Sequence, residues 1–156
     1  MKVFAAMFIA ATMVTFVSCG KDYEKEIIGS WELTGGTSVQ TVSGLTGQYA
    51  SYNGTRTEDL TPKNGESYVI TFNEGGSMTM TMIEGGRSET QSGTWSIKDD
   101  QLTITVAGDS DGPQTMTITE FEDDKVTLQH HSVNSRSDMG LSYTVEETTT
   151  MIFKRK

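Results

Sequence analysis

The chain has 156 residues, a formal charge of −9 and 35% hydrophobic residues. That length suits one domain with a sizeable core, and the acidic balance argues against nucleic acid or anionic headgroups as partners, because phosphates repel it. With 16 glycines, only Pro62 and Pro113 as prolines, and no stretch with a long helical period, the chain reads as all-β.

Met1 and Lys2 make a short basic start, Val3 to Val17 is an uncharged and mostly apolar run, and Ser18 is a small residue ahead of Cys19. This is the layout of a secretory signal peptide. The run is shorter than the roughly 20 apolar residues that a membrane-spanning helix needs. Cys19 is the only cysteine, so a disulfide lacks a second thiol and a zinc site lacks companions at ligand spacing. A catalytic thiol would need a histidine placed to activate it. "FVSC" resembles the lipobox of bacterial lipoproteins. That resemblance implies that residues 1–18 are removed and that Cys19 carries acyl chains such as palmitate, two or three of which hold a protein stably on a membrane. Loss of Lys2 with the leader would take the charge from −9 to −10. Residues 19–26 then read as the lipidated end and a hydrophilic tether. Lys21 and Asp22 resemble part of an export signal of lipoproteins of Bacteroides-type bacteria, implying an outer-membrane lipoprotein with surface exposure favoured over a periplasmic face.

From Ile27 onward the pattern has period 2. A strand is expected over Ile27–Thr34, with one or two more between Gly35 and Thr61. Tyr68, Ile70 and Phe72 alternate with polar or β-branched neighbours, as do Met78, Met80 and Met82, then Trp95 and Ile97, then Leu102, Ile104 and Val106. Met116 and Ile118, Val126 and Leu128, Leu141, Tyr143 and Val145, and finally Met151 and Phe153 continue it. One face of each strand is thus core, while threonines such as Thr103, Thr105 and Thr117 sit on the wet face. Turn signals separate the runs: "NEGG" at 73–76, "EGG" at 84–86, "KDD" at 98–100, "GDSDGP" at 108–113, "EDDK" at 122–125 and "NSRSD" at 134–138. Successive short hairpins make an antiparallel up-and-down meander. Closure into a barrel of about eight strands would remove its exposed edges.

Gly29, Ser30 and Trp31 form a G-x-W at the first strand, and the chain ends in "MIFKRK". Together with "YVITFNEGGSMTM", "SGTWSIKDDQLTI" and "ITEFEDDKVTLQ", these stretches resemble the lipocalin or calycin superfamily, and more closely the lipocalin-like lipoproteins of Bacteroides-type bacteria. The resemblance covers residues 27–156 and implies a lipocalin-like barrel domain. It also implies that Trp31 plugs one end of the barrel beneath a basic side chain. Arg155 is the candidate because it shares parity with Met151 and Phe153, with Lys154 as the alternative. A second G-x-W, Gly93 to Trp95, reads as pseudo-repetition or chance recurrence.

A barrel of this size either fills with side chains or encloses one small ligand. Candidate lining residues are Tyr68, Ile70, Phe72, Met78, Met80, Met82, Trp95, Tyr143 and Phe153. The three methionines would suit an adaptable apolar pocket or would simply fill the core. Tyr49 and Tyr52 either guard a mouth or are ordinary loop residues. No nucleophile elbow, phosphate loop or H-E-x-x-H occurs, and adjacent His130 and His131 point to opposite faces of a strand. A solvated hairpin is the simpler reading of "GDSDGP" than a calcium loop. The expectation is a non-enzymatic domain without cofactor, metal site or nucleic-acid partner, anchored to the membrane through Cys19 and binding a small apolar or amphipathic molecule. The alternative is a structural or protein-interaction module of the envelope with a filled barrel.

Overall fold

The computed structural model describes residues 22–110, 112–138 and 140–156. The leader (1–18), Cys19 and the first part of the tether lie outside the described residues. Where the sequence suggested only a hydrophilic tether, one turn of helix forms, α1 (Tyr23–Glu26). Four residues are too few to announce themselves by period. The turn delivers fully buried Ile27 to the base of the core and sets the Tyr23 ring 5.3 Å from that of Phe121.

Nine strands follow: β1 (Gly29–Ser43), β2 (Gly54–Asp59), β3 (Ser67–Phe72), β4 (Ser77–Glu84), β5 (Arg87–Lys98), β6 (Gln101–Val106), β7 (Gln114–Phe121), β8 (Lys125–Asp138) and β9 (Leu141–Arg155). All pairings are antiparallel. Strands β1 and β3 to β9 form an eight-stranded up-and-down barrel, closed by β1 against β9 from Trp31↔Arg155 to Ser43↔Thr144. The ninth, β2, is additional. It and β3 lie end to end along the other edge of β1, with Val42↔Gly54 through Thr37↔Asp59 above and Glu32↔Val69 through Gly29↔Phe72 below.

The expected alternation is present where the barrel is closed. Ile70, Phe72, Met78, Trp95, Leu102, Ile104, Met116, Ile118, Val126, Leu128 and Phe153 are all buried around Trp31. Each large apolar side chain so buried contributes about 1.5–3 kcal/mol. Higher up, β8, β9, β1 and β2 continue past the end of β7 as a four-stranded wall, because β7 pairs with β8 only as far as Gln129.

Two boundaries differ from the sequence expectation, for one reason. β1 does not stop at Thr34 but continues to Ser43, and "NSRSD" is no turn but the upper part of β8. The chain reverses instead between Asp138 and Leu141, with Gly140 at φ +78°. Both misread stretches belong to the wall, where β8 from Val133 to Asp138 is exposed, so no apolar alternation is imposed on it. Gly35 and Gly36 read as a break but permit close packing, since a Cβ on Gly36 would sit 2.2 Å from the Thr150 carbonyl oxygen. Between Leu33 and Gly35 the register with β9 shifts by one residue.

Gly93 is needed for the same reason: its Cβ would lie 2.3 Å from the Thr105 carbonyl oxygen and 3.2 Å from the Val106 Cα. Neither backbone atom can yield without parting β5 from β6. Gly93→Ala is expected to lower the urea unfolding free energy by about 1–3 kcal/mol, the usual cost of overpacking. A change within the error of the measurement would show that the two strands are free to separate.

Candidate functional site

The closed end is built from residues 26–31 and the end of β9. Trp31 is fully buried and donates its indole N–H to the Ile27 carbonyl at 2.6 Å, while its ring meets Phe121 edge-on at 5.7 Å. The Arg155 guanidinium carbon lies 4.3 Å from the Trp31 ring centroid. Its three nitrogens donate to the carbonyls of Asp123 (2.9 Å), Ile28 (3.0 Å) and Glu26 (2.7 Å). The planar fork thereby ties α1, the start of β1 and the β7–β8 turn to the last strand. Lys154 instead pairs with Glu32 in register and is exposed.

Trp95, on β5 three strands along the barrel from β1, occupies a similar position. Its N–H points at the carbonyls of Asn73 (3.1 Å) and Ser77 (3.0 Å), and its ring meets Phe72 edge-on at 5.4 Å. Both G-x-W tryptophans therefore fill the same half of the barrel.

The candidate lining residues separate by height. Ile70, Phe72, Met78, Trp95 and Phe153 are core, and Met80 packs against that core. Tyr68 and Met82 stand higher and are half-buried at the mouth. Tyr143 lies elsewhere, at the far tip of the wall, in a small depression with Tyr49 and Tyr52. Those two tyrosines ride on a 3₁₀ turn (Gly47–Tyr52), their rings 6.5 Å apart.

The mouth itself holds a cleft of about 420 Å³. Leu33, Leu60, Pro62, Tyr68 and Met151 provide apolar surface, and Glu58, Asp59, Glu66 and Glu84 provide carboxylates, with Lys63 the one cation among the lining residues. Glu84 also borders an adjoining cleft of about 500 Å³ with Met82, Arg87 and Glu89. Removal from water, reinforced by the charges of Glu84 and Glu66, holds the Tyr68 hydroxyl above the ordinary phenol range. Tyr68 therefore stays a neutral hydrogen-bond donor within a negative field. Farther up, the inner face turns polar: the Ser38 hydroxyl donates to the Glu147 carboxylate at 3.0 Å, and Thr149 lies 3.4 Å from both.

Sequence reasoning missed Leu33, Leu60, the carboxylates and the Ser38–Glu147 pair. Glu147 and Thr149 share parity with Met151, which was the available signal. Leu60 and Glu66 come from an irregular connection and carry no period at all. His130 donates to the Thr115 carbonyl (2.9 Å), whereas His131 is 3.0 Å from the Thr148 hydroxyl, so the two engage different strands. Among the described residues, no group of three His, Cys, Asp or Glu side chains is arranged to hold a metal ion.

The profile of a family described as "Lipocalin-like domain" matches residues 27–128. Among solved structures, the chain is similar to a lipocalin-like protein from Bacteroides uniformis, at 15% identity and a TM-score of 0.48, covering 84% of this chain and 99% of that one. It is also similar to an uncharacterized protein from Bacteroides eggerthii, at 17% identity and a TM-score of 0.45, covering 83% and 98% respectively. No curated protein matches the chain.

Among the described residues, four carboxylates are held below their ordinary values: Asp22 by Lys25, Glu32 by the Ser67 hydroxyl (2.7 Å) and then Lys156, Asp59 by Thr61, and Glu120 by Lys125 and then Thr127. A lowered carboxylate adds stability above its unfolded value, which is 3.8 for Asp and 4.5 for Glu, and loses it as pH falls through the folded value. The melting temperature is therefore expected to be flat from neutral pH down to about 5 and to fall steadily below about 4.5. Glu32→Gln should lessen that acid slope. An acid slope unchanged in Glu32→Gln would contradict the Glu32 pairing.

Proposed function

Because the chain belongs to the lipocalin-like domain family, we propose that it is a non-enzymatic, membrane-anchored barrel domain that binds a small amphipathic molecule at its mouth. The observation that supports this reading is the cleft of about 420 Å³, with its floor of Leu33, Tyr68 and Met151 beneath a rim of Glu58, Asp59, Glu66 and Glu84. The filled lower half leaves the mouth as the binding position. An apolar tail would lie along the floor, where flexible Met151 and neighbouring Met82 can adapt to its shape. A cationic head would suit the rim better than an anionic one, since carboxylates outnumber the basic residues Lys63 and Arg87 there.

The filled core also favours a second reading, a structural or protein-interaction module whose barrel serves only as a scaffold. Titration of residues 22–156 with twelve-carbon amphiphiles bearing ammonium, neutral or sulfate heads, below their micellar concentrations, separates the two. Saturable binding is expected for the ammonium compound, and Met151→Asp should weaken it about tenfold or more, as loss of a well-buried apolar contact implies. If no head class saturates and native mass spectrometry finds no bound small molecule, the second reading stands.

The anchor rests on the leader and the "FVSC" stretch. Acylation of Cys19 would place the barrel on the outer membrane, with the cell surface as its favoured side. Cys19→Ala should abolish acyl labelling and move the protein into the soluble fraction. Labelling that persists in this variant would refute the assignment.

A further inference from the structure

Above the closed half of the barrel some strand edges stay unpaired among the described residues, including the upper part of β8 and the outer edge of β2. β2 pairs only with β1, and its six residues, Gly54 to Asp59, are all exposed. The strand contains no proline or bulge, and its charged side chains, Arg56, Glu58 and Asp59, carry both signs, so they bar a partner strand only in registers that oppose like charges.

Its backbone polarity follows from one bond. The Leu60 N–H donates to the Gly36 carbonyl at 3.0 Å. In an antiparallel ladder, residues two apart turn their N–H and C=O groups the same way. Gly54, Arg56 and Glu58 therefore face β1, and Thr55, Thr57 and Asp59 present their backbone groups outward.

We infer that this edge pairs with the same edge of a second copy of the chain, antiparallel about a two-fold axis at Thr57. In that register, Thr57 faces Thr57 and Thr55 faces Asp59, each as a hydrogen-bonded pair. Arg56 then faces Glu58 twice, in the non-hydrogen-bonded positions where opposing side chains come closest. Among the described residues neither Arg56 nor Glu58 makes an ion pair within the chain. The sequence "TRTED" is thus its own electrostatic complement only when antiparallel and centred on Thr57. Shifting the centre by one residue would oppose Arg56 to Arg56 or Glu58 to Glu58 on the new axis, and shifting it by half a residue would turn inward-facing backbone groups toward the partner. The two walls would become one continuous sheet, β8-β9-β1-β2 running into its symmetry mate.

Cross-linking of the full chain in the cells that make it tests the register. Across the two-fold, residues 57 lie about 5.5 Å apart between Cα atoms, which suits a disulfide, whereas residues 55 lie about 14 Å apart. After mild copper-catalysed oxidation, Thr57→Cys should give a disulfide-linked dimer well above the background set by Cys19 in the unsubstituted chain, and Thr55→Cys should not. Adding Arg56→Glu to Thr57→Cys should reduce the dimer about tenfold, as two attractive pairs become repulsive, and further addition of Glu58→Arg should restore it. Equal cross-linking at positions 55 and 57, none above background at 57, or a yield indifferent to the charge changes would overturn the proposal.

Discussion

Everything in this barrel depends on the ladder between its first and last strands. With β1 hydrogen-bonded to β9 along nearly its whole length, the sheet has no edge in its lower half, and each inward side chain gains a complete ring of neighbours. The plug and the mouth both derive from that seam. At the bottom it brings Arg155 over Trp31, joining residues more than a hundred positions apart through one guanidinium. At the top it brings Ser38 to Glu147 and changes the lining from apolar to polar. Gly36 is the local condition for the seam, because any side chain there would strike the Thr150 carbonyl.

The same seam explains how one barrel divides into two environments. Below the register shift at Leu33/Gly35 the interior is packed with Trp31, Phe72, Met78, Trp95 and Phe153. Above it, half-buried Tyr68, Met82 and Met151 meet carboxylates and solvent. The methionine stripe of β4 spans this gradient: Met78 is fully enclosed, Met80 packs at the boundary and Met82 is at the mouth. Filled core and adaptable pocket are thus two ends of a single strand.

This division also marks how far the sequence could be read. Alternation identified most buried positions from Ile70 to Phe153, because burial on one face forces period 2; it passed over Phe121, which lies past the register shift at Ile118/Glu120, while the glycine- and aspartate-rich turns between the strands stand where their chemistry put them. The family resemblance implied a basic side chain from the end of the chain over Trp31, and parity with Phe153 chose Arg155 over Lys154, which is where the guanidinium lies. What escaped was the part of the sheet with water on both sides. There Val39, Val133 and their neighbours follow no consistent pattern, and "NSRSD" has a turn's composition in an extended strand. The mouth was hidden for a related reason, since Leu60 and Glu66 reach it from an irregular segment while Glu58 belongs to a strand wholly exposed.

The length of the seam bears on the order of events during folding. Ser38 and Glu147, 109 residues apart, can meet only when almost the entire chain is present. The hairpins from β3 to β8 need only near neighbours, so they can assemble while β1 still waits for half of its partners. Met151 to Arg155 supply both the last rungs and the clasp on Trp31. Until β9 is in place, β1 remains an open, pairing-competent strand, so exposure to misassembly lasts until residues Leu141 to Arg155 dock against it.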